Sequence, residues 1–590
     1  MADLKKVVMN PDGGVIKNQP KSIIPDNSWV DAMNVRFRQG SVQRVEGWMG
    51  FQNLQLDSRV MWIDNLYVTS DYNAAWLMFH SVNRIYFYDD SERTLVDITN
   101  EPFSNGPDGY TMAENINDWY VFTNLVDNIQ YWDGTMEKVE KLPGLWDPSQ
   151  WLPNHDYVEG DHCRPTNANL NGLMYRCKVT GTSGETEPPW PTSGGINDGT
   201  ARWEMVGGYG LEGGGVDCRA KCMLNYNGFL ILGHTVEDGI NYPQRVRWSQ
   251  WNNCTIWHNN EDGSGQAGYA DLTEGVDWVQ SIKPLGAYIV VYKERSIQVV
   301  SYVGGDLIWD RRPAIIGTGL ISPYALVDLG DEHIFVGPDN IYSFDLIEPK
   351  VAGDAIAKEF FRILIPDKSN QIRGFFVEEV PEVWFAFHSI NNEAAINGDS
   401  NAPFDMALVY NTDTKAWSLR EMPMVCFGYY NKQDTTTIDD IDVEIDAMDW
   451  AIDTSTKLQN APINICGDET GKLYFFDGQS RNNVDYEAWA VSKYFDMDKP
   501  ELMKRVKRIQ VMTSREGDYN LEIYLGAANS SDDEPTWYGP FNMNLSKLYP
   551  PWVDMDITAR YFSVKFRTAH RNEPFTITGY IIYYEERGDI

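Results

Sequence analysis

The sequence predicts an all-β fold: a β-propeller core carrying a small inserted β-module and a C-terminal β-sandwich. Aromatic residues make up 13% of the chain, with 21 Trp and 32 Tyr, and long Ala/Leu/Glu/Lys stretches are nearly absent. That usage suits many short strands. A strand-and-turn pattern also recurs, reading aliphatic, any, any, aromatic, then Asp or Asn. Its copies are Ile85-Tyr-Phe-Tyr-Asp89, Ile129-Gln-Tyr-Trp-Asp-Gly134, Ile341-Tyr-Ser-Phe-Asp345 and Leu473-Tyr-Phe-Phe-Asp-Gly478. A looser copy, Leu408-Val-Tyr-Asn411, runs into Thr412-Asp-Thr-Lys-Ala-Trp-Ser418, a kelch-like turn. The first two copies lie 44 residues apart, and the last three are separated by 67 and 65. Such periods predict a propeller of about six to eight blades. The alternative is a set of unrelated hairpins.

Taken in order, residues 1–150 read as an N-terminal hairpin followed by the first blades. Asn34-Val-Arg-Phe-Arg38 alternates apolar and polar residues as a half-buried strand does, Gln39-Gly40 is a turn, and Ser41-Val-Gln-Arg-Val45 returns. Residues 151–207 read as an insertion, starting after Pro143-Gly144 and leaving through Gly207-Gly208 and Gly213-Gly-Gly215. Residues 208–484 hold the remaining blades, among them Pro243-Gln-Arg-Val-Arg-Trp-Ser249 and Ala287-Tyr-Ile-Val-Val-Tyr292. The one clear helix is Ala355–Leu364. Residues 485–590 alternate cleanly in Arg508-Ile-Gln-Val-Met, Leu521-Glu-Ile-Tyr-Leu and Tyr561-Phe-Ser-Val-Lys-Phe-Arg567, which predicts the sandwich.

A formal net charge of −36 argues against ordinary nucleic-acid binding, which needs a basic footprint. It suits solubility, and it equally suits a surface that DNA must pass without sticking. Residues 1–20 lack an apolar leader core and no apolar run reaches the length of a membrane span, so the chain is expected to be made and folded in cytoplasm. The cysteines at 163, 177, 218, 222, 254, 426 and 466 are odd in number and show no framework spacing, so reduced thiols are expected.

Candidate sites are few. Asp439-Asp-Ile-Asp-Val-Glu-Ile-Asp446 as a strand puts Asp440, Asp442, Glu444 and Asp446 on one face. That face must be wet or meet cations, and in a ring it would line a channel; the plainer alternative is an outward, solvated strand. It is no EF-hand, because Ile445 stands where that loop needs Gly. Trp190 and Trp203 in the insertion are candidate sugar-stacking platforms, or else the small module's own core. Lys504, Arg505, Lys507 and Arg508 form a basic cluster, read as a solvated strand edge or, alternatively, a contact for an acidic partner. Cys218, Cys222 and His234 lack a second ligand pair at finger-like spacing, and His162-Cys163 with Cys177 read as packed residues. There is no Gly-x-Ser-x-Gly elbow, His-Glu-x-x-His or phosphate loop, and Asp413…Trp417 is only a fragment of a sialidase box. No catalytic residue, metal or cofactor is assigned.

The stretch Trp29-Val-Asp-Ala-Met-Asn-Val-Arg-Phe-Arg-Gln-Gly-Ser-Val-Gln-Arg-Val-Glu-Gly-Trp48 resembles the N-terminal signature of the nozzle, or tail-tube-B, proteins of short-tailed phages and of the related head-completion DNA-stabilisation proteins. The order Pro243…Trp248-Ser, Val279-Gln, Tyr292-Lys, Gly304-Gly, Gly317…Ser322-Pro is similar to their central region, so the resemblance spans roughly residues 10–345. The insertion resembles a carbohydrate-binding-like module of phage tail proteins. The resemblance implies a structural virion protein of the tail: a homohexameric ring below portal and adaptor proteins, a conduit and gate for genome ejection, and a platform for tail fibres. It would meet the host envelope indirectly and pass DNA without binding it specifically. The alternatives, from other classes, are a glycan-binding adhesin and a propeller glycosidase acting on host surface polysaccharide.

Overall fold

The computed structural model describes residues 4–67, 75–259, 265–305, 308–430, 462–547 and 549–587. The fold is all-β: a β-propeller with a small inserted β-module and a C-terminal β-sandwich. Among the described residues there are seven antiparallel sheets of blade type, six of four strands and one of five. By contacts the chain forms two compact units. One contains 56–323 and 428–463; the other contains 1–55, 324–427 and 464–590.

The first unit holds four blades and the insertion. Blade 1 runs through Val60–Tyr67, Ala75–Ser81, Ile85–Asp89 and Thr94–Asp97, and blade 2 through Met112–Ile116, Trp119–Thr123, Gln130–Trp132 and Glu140–Lys141. Blade 3 is Cys218–Tyr226, Phe229–Glu237, Ile240–Trp248 and Gly268–Asp271. Blade 4 is Val279–Leu285, Tyr288–Lys293, Ser296–Tyr302 and Trp309–Arg311, with Ile315–Ile316 added. First strands of successive blades touch one another in order, which makes them the inner strands. The cores between blades are apolar: Leu66, Met78, Ile85, Ile98, Tyr120 and Trp132 form one buried cluster.

The second unit holds blade 5 (Leu326–Asp328, His333–Val336, Ile341–Phe344, Pro349–Val351) and blade 6 (Arg373–Val377, Glu382–Phe387, Met406–Asn411, Trp417–Glu421). Blade 7 uses Cys426–Tyr430, Ile463–Gly467 and Lys472–Phe475, and its fourth strand is the N-terminal Met49–Gln55. The sheet is therefore sealed by chain from the opposite end of the sequence.

All five copies of the aromatic–Asp pattern occupy the third strand of a blade, in blades 1, 2, 5, 6 and 7. The aliphatic residue is buried every time (Ile85, Ile129, Ile341, Leu408, Leu473). The terminal Asp or Asn holds the turn that follows. Asp89 accepts from the Ser91 and Glu92 amides, Asp133 from those of Thr135 and Met136, and Asn411 from those of Asp413 and Thr414. The long gap between copies holds the insertion and blades 3 and 4, which lack the pattern. The helix is Ala357–Ile363, shorter than the sequence pattern, and a second short helix covers Glu393–Ile396.

The sandwich is larger than residues 485–590. One sheet joins Trp552–Ala559, Met503–Thr513 and Thr576–Arg587 to the hairpin Val35–Arg38/Ser41–Arg44 and to Lys5–Met9. The other joins Thr536–Asn544, Asn520–Ala528, Tyr561–Thr568 and Ala488–Ser492 to Trp29–Met33. The N-terminal hairpin, grouped from sequence with the first blades, thus completes the sandwich instead. Its turn is as expected, with Gln39 and Gly40 both left-handed (φ 50° and 72°). Rings from both sheets interlock between the layers: Trp29 meets Phe37, Phe566 and Tyr580 at centroid distances of 6.1, 6.2 and 6.3 Å.

Candidate functional site

The segment Trp29–Trp48 is built into the second unit by polar side chains as much as by apolar ones. Asn34 ends the first strand in the left-handed region (φ 57°), a conformation that Asn tolerates better than most residues. It is 0% exposed, and its hydrogen-bonding groups are used. Its backbone N–H donates to Leu419 O at 2.9 Å and its C=O accepts from Val45 N at 3.0 Å. Its Nδ2 donates to Glu487 O at 2.6 Å, and its Oδ1 accepts from Glu421 N at 3.0 Å and Arg481 at 2.8 Å.

Two residues on, Arg36 is buried rather than alternating outward as a half-buried strand predicts. Its Nε donates to Glu382 at 2.9 Å and its Nη1 meets Glu46 at 2.7 Å, which explains how a charge tolerates that position. Burial alone would raise the Glu46 carboxyl, but the charges of Arg36 and Arg420 outweigh it and hold the group down to about 2. Arg420 in turn lies over the Trp384 ring at 4.6 Å and donates to Glu46 O at 2.6 Å. Arg44 donates to three backbone carbonyls, of His570, Glu573 and Tyr486, at 2.7–2.8 Å. Gly47 is obligatory, since a Cβ there would stand 1.8 Å from Ser480 O. Within the second unit the segment therefore links blade 6 and the sandwich through buried polar and charged side chains.

The inner strands of the first unit carry a second polar device. Asn65 Nδ2 donates to Tyr429 O at 2.8 Å, Asn115 Nδ2 to Asn65 O at 2.8 Å, and Asn225 Nδ2 to Asn115 O at 2.6 Å. Each asparagine caps the backbone of the neighbouring inner strand. Asp64 and Glu114 precede two of them. Burial pushes the Asp64 carboxyl up to about 6, with bonds from Asn65 and Trp62 opposing. It pushes Glu114 up to about 7, opposed by Lys283 and reinforced by Asp64. Sequence reading missed this ladder. Its signal was the pattern apolar-x-Asn-apolar in Ile63–Leu66, Ala113–Ile116 and Met223–Tyr226.

The sequence-derived candidates fall as follows. The acidic stretch with Asp440, Asp442, Glu444 and Asp446 lies outside the described residues. Trp203 is 0% exposed in the core of the inserted module, with Trp151, Tyr157, Cys163, Tyr175 and Cys177. Its Nε1 donates to the buried Asp198 at 3.1 Å, and Trp151 shares that carboxylate at 2.7 Å. As a sugar platform Trp203 is therefore corrected: a module this small needs the ring inside. Trp190 is half-buried, packs against Tyr175 at 4.4 Å and donates to Glu187 at 2.8 Å.

The basic cluster is also corrected. Met503–Thr513 is no edge, being paired on both sides. Arg505 and Lys507 meet Asp556 and Arg508 meets Asp554 across the strand pair, while Lys504 is buried and donates to Lys499 O and Arg560 O at 2.7 Å. Cys218 and Cys222 are buried thiols pushed up by that burial, and all seven cysteines are free. Among the described residues no three His, Cys, Asp or Glu side chains are grouped to hold a metal, and no helix is long and apolar enough to cross a membrane.

No family model and no curated protein matches the chain. Among solved structures it is similar to the computationally designed Ika8 protein, at 9% identity over 73% of this chain and 99% of that one, with a TM-score of 0.35. It is similar to the Neurospora crassa Pan2 WD40 domain at 7% identity, over 73% and 94%, with a TM-score of 0.31. These scores are low, so the fold assignment rests on the chain's own sheets.

Proposed function

We propose that this chain is a structural virion protein, the nozzle or hub of a short phage tail, assembled as a homo-oligomeric ring of the hexameric kind the resemblance implies. What supports the reading is the segment Trp29–Trp48. Its pattern resembles that of tail-hub proteins, and its polar residues Asn34, Arg36, Arg44 and Glu46 are committed to an internal joint. A joint of buried, paired side chains such as Arg36 with Glu46 and Glu382 resists local opening, as a wall under mechanical load requires. The net charge of −36 fits the second half of the role, because a duplex gains no counterion release from an acidic surface and can pass. Portal and adaptor proteins would sit above the ring, and fibres would dock on it and meet the host envelope. The role involves no catalysis and no cofactor.

Immunogold labelling of the phage particles tests this directly, using antibody raised against the purified chain. Label at the distal end of the short tail is the expected outcome, together with ring-shaped particles when the chain is mixed with its adaptor. Particles that carry no label at the tail would reject the assignment.

A further inference from the structure

Within the second unit lies an open groove of about 740 Å³, which Val30 and Asp31 of the signature segment help to line. Its floor is the outer face of one sandwich sheet. Along Ala488–Ser492 and Tyr561–Thr568 the alternate residues Ala490, Val564 and Phe566 point into the core, which leaves Trp489, Val491 and Lys565 facing out into the groove. Val491 and Lys565 are direct cross-strand partners. The rim includes Trp537, 39% exposed, on the edge strand Thr536–Asn544.

The charge pattern is uneven. Three cations of the groove have a carboxylate: Lys17 meets Asp31 at 2.6 Å, Lys21 meets Glu534 at 2.6 Å, and Arg362 meets Glu359 at 2.7 Å. Lys565 has none among the described residues. The acids nearest it are already engaged, Asp31 by Lys17, and Glu487 and Glu522 by Arg567 at 2.5 and 2.7 Å. Its ammonium instead lies over the Trp489 ring at 5.0 Å and the Tyr524 ring at 6.0 Å. Burial, with Arg567 next to it, lowers the lysine below its ordinary value, the direction of a cation that lacks a counter-ion. The indole N–H groups of Trp489 and Trp537 likewise have no protein acceptor among the described residues.

We infer that this groove binds an acidic oligosaccharide, one pyranose face lying on an exposed indole and a ring carboxylate on Lys565. An amphipathic ring beside a half-buried cation without a carboxylate partner is matched by a ligand with an apolar face and an anionic substituent. The unused indole N–H groups suit hydroxyl acceptors. The openness and volume suit a chain of sugars better than a single small anion. The floor strands Ala488–Ser492 and Tyr561–Thr568 are paired on both sides, so an extended peptide could add only at an edge strand such as Thr536–Asn544, and the peptide arm of the test decides that case. The inference is independent of the tail assignment, since the purified full chain displays the groove whether or not it forms a ring.

The test is isothermal titration of the full chain with tri-galacturonate, with sialyllactose, with a neutral galactose trimer and with an oligo-glutamate peptide, followed in parallel by tryptophan fluorescence. At least one acidic sugar should bind at least tenfold more tightly than the neutral trimer, with an affinity that falls as salt is raised. Lys565→Met should remove that tenfold preference, and Trp537→Ala should weaken acidic and neutral sugars alike, both with unchanged circular dichroism. The idea fails if no acidic sugar binds at millimolar concentration, if Lys565→Met binds as the parent does, or if the peptide binds as well as the sugars.

Discussion

Arg36 is the residue at which the fold depends most on one side chain. It satisfies Glu382, which is itself buried, and shares Glu46 with Arg420. Arg36→Met keeps the volume but takes from the buried Glu382 its cation and leaves Glu46 to Arg420, so a loss of roughly 3–5 kcal/mol is expected in urea or thermal unfolding. Lys350→Ala, which removes a solvent-screened pair with Asp345, should leave the unfolding midpoint essentially unchanged. The same network sets a pH response. Glu46 is depressed from 4.5 to about 2 in the folded chain, so its contribution is complete above pH 4.5 and is lost as pH falls through that window to about 2. Asp64 and Glu114 have the opposite sign. Raised to about 6 and about 7, they cost stability once the pH exceeds their unfolded values, and the cost grows as pH rises toward 7. Glu114→Gln should therefore raise the melting temperature more at pH 8 than at pH 5, as calorimetry at the two values will show. None of these roles was legible residue by residue, because a charge in a strand pattern reads as solvent-facing until its partners, hundreds of positions away, are known.

At the scale of elements, the third strand of the blade was the most readable piece. Its aliphatic residue must enter the core and its Asp or Asn must close a tight turn, and both demands are local. Blades 3 and 4 were legible only as strand segments, Pro243–Ser249 and Ala287–Tyr292, because their third strands, Ile240–Trp248 and Ser296–Tyr302, end without the aromatic–Asp pair. The inner strands were missed for a different reason: Asn65, Asn115 and Asn225 act on a neighbouring blade, so no local rule requires them. Asn115→Ala removes the partner of the Asn65 carbonyl. It should cost about 1–3 kcal/mol and speed hydrogen exchange in Val60–Tyr67 and Met112–Ile116 before the outer strands. Edge and interior strands were confused at Met503–Thr513, since a run of basic residues looks alike whether it guards an edge or pairs with Asp554 and Asp556 across an interior strand.

For the whole molecule, the N-terminal residues are spent on closing distant sheets. Met49–Gln55 seals blade 7, while Lys5–Met9, Trp29–Met33 and the hairpin complete the sandwich. A chain lacking residues 1–55 should lose the cooperative unfolding of the second unit and expose it to limited proteolysis, whereas a point change in the turn at Gln39-Gly40 should be mild. The charge of −36 gives a separate expectation: duplex DNA should not be retarded by the protein in a low-salt gel shift, where any electrostatic attraction is strongest.

Fold class, the repeated third strand, the insertion and the acidic balance can be read from the amino-acid order alone, because periodicity, turn chemistry and composition are local or additive quantities. Long-range packing was needed to show that the N-terminal hairpin belongs to the C-terminal sandwich, that Trp203 is core and not platform, and that Arg36, Glu46 and Glu382 form a buried joint. Each of these depends on which segments meet across long stretches of chain, and burial there reverses what the same side chain would do in water.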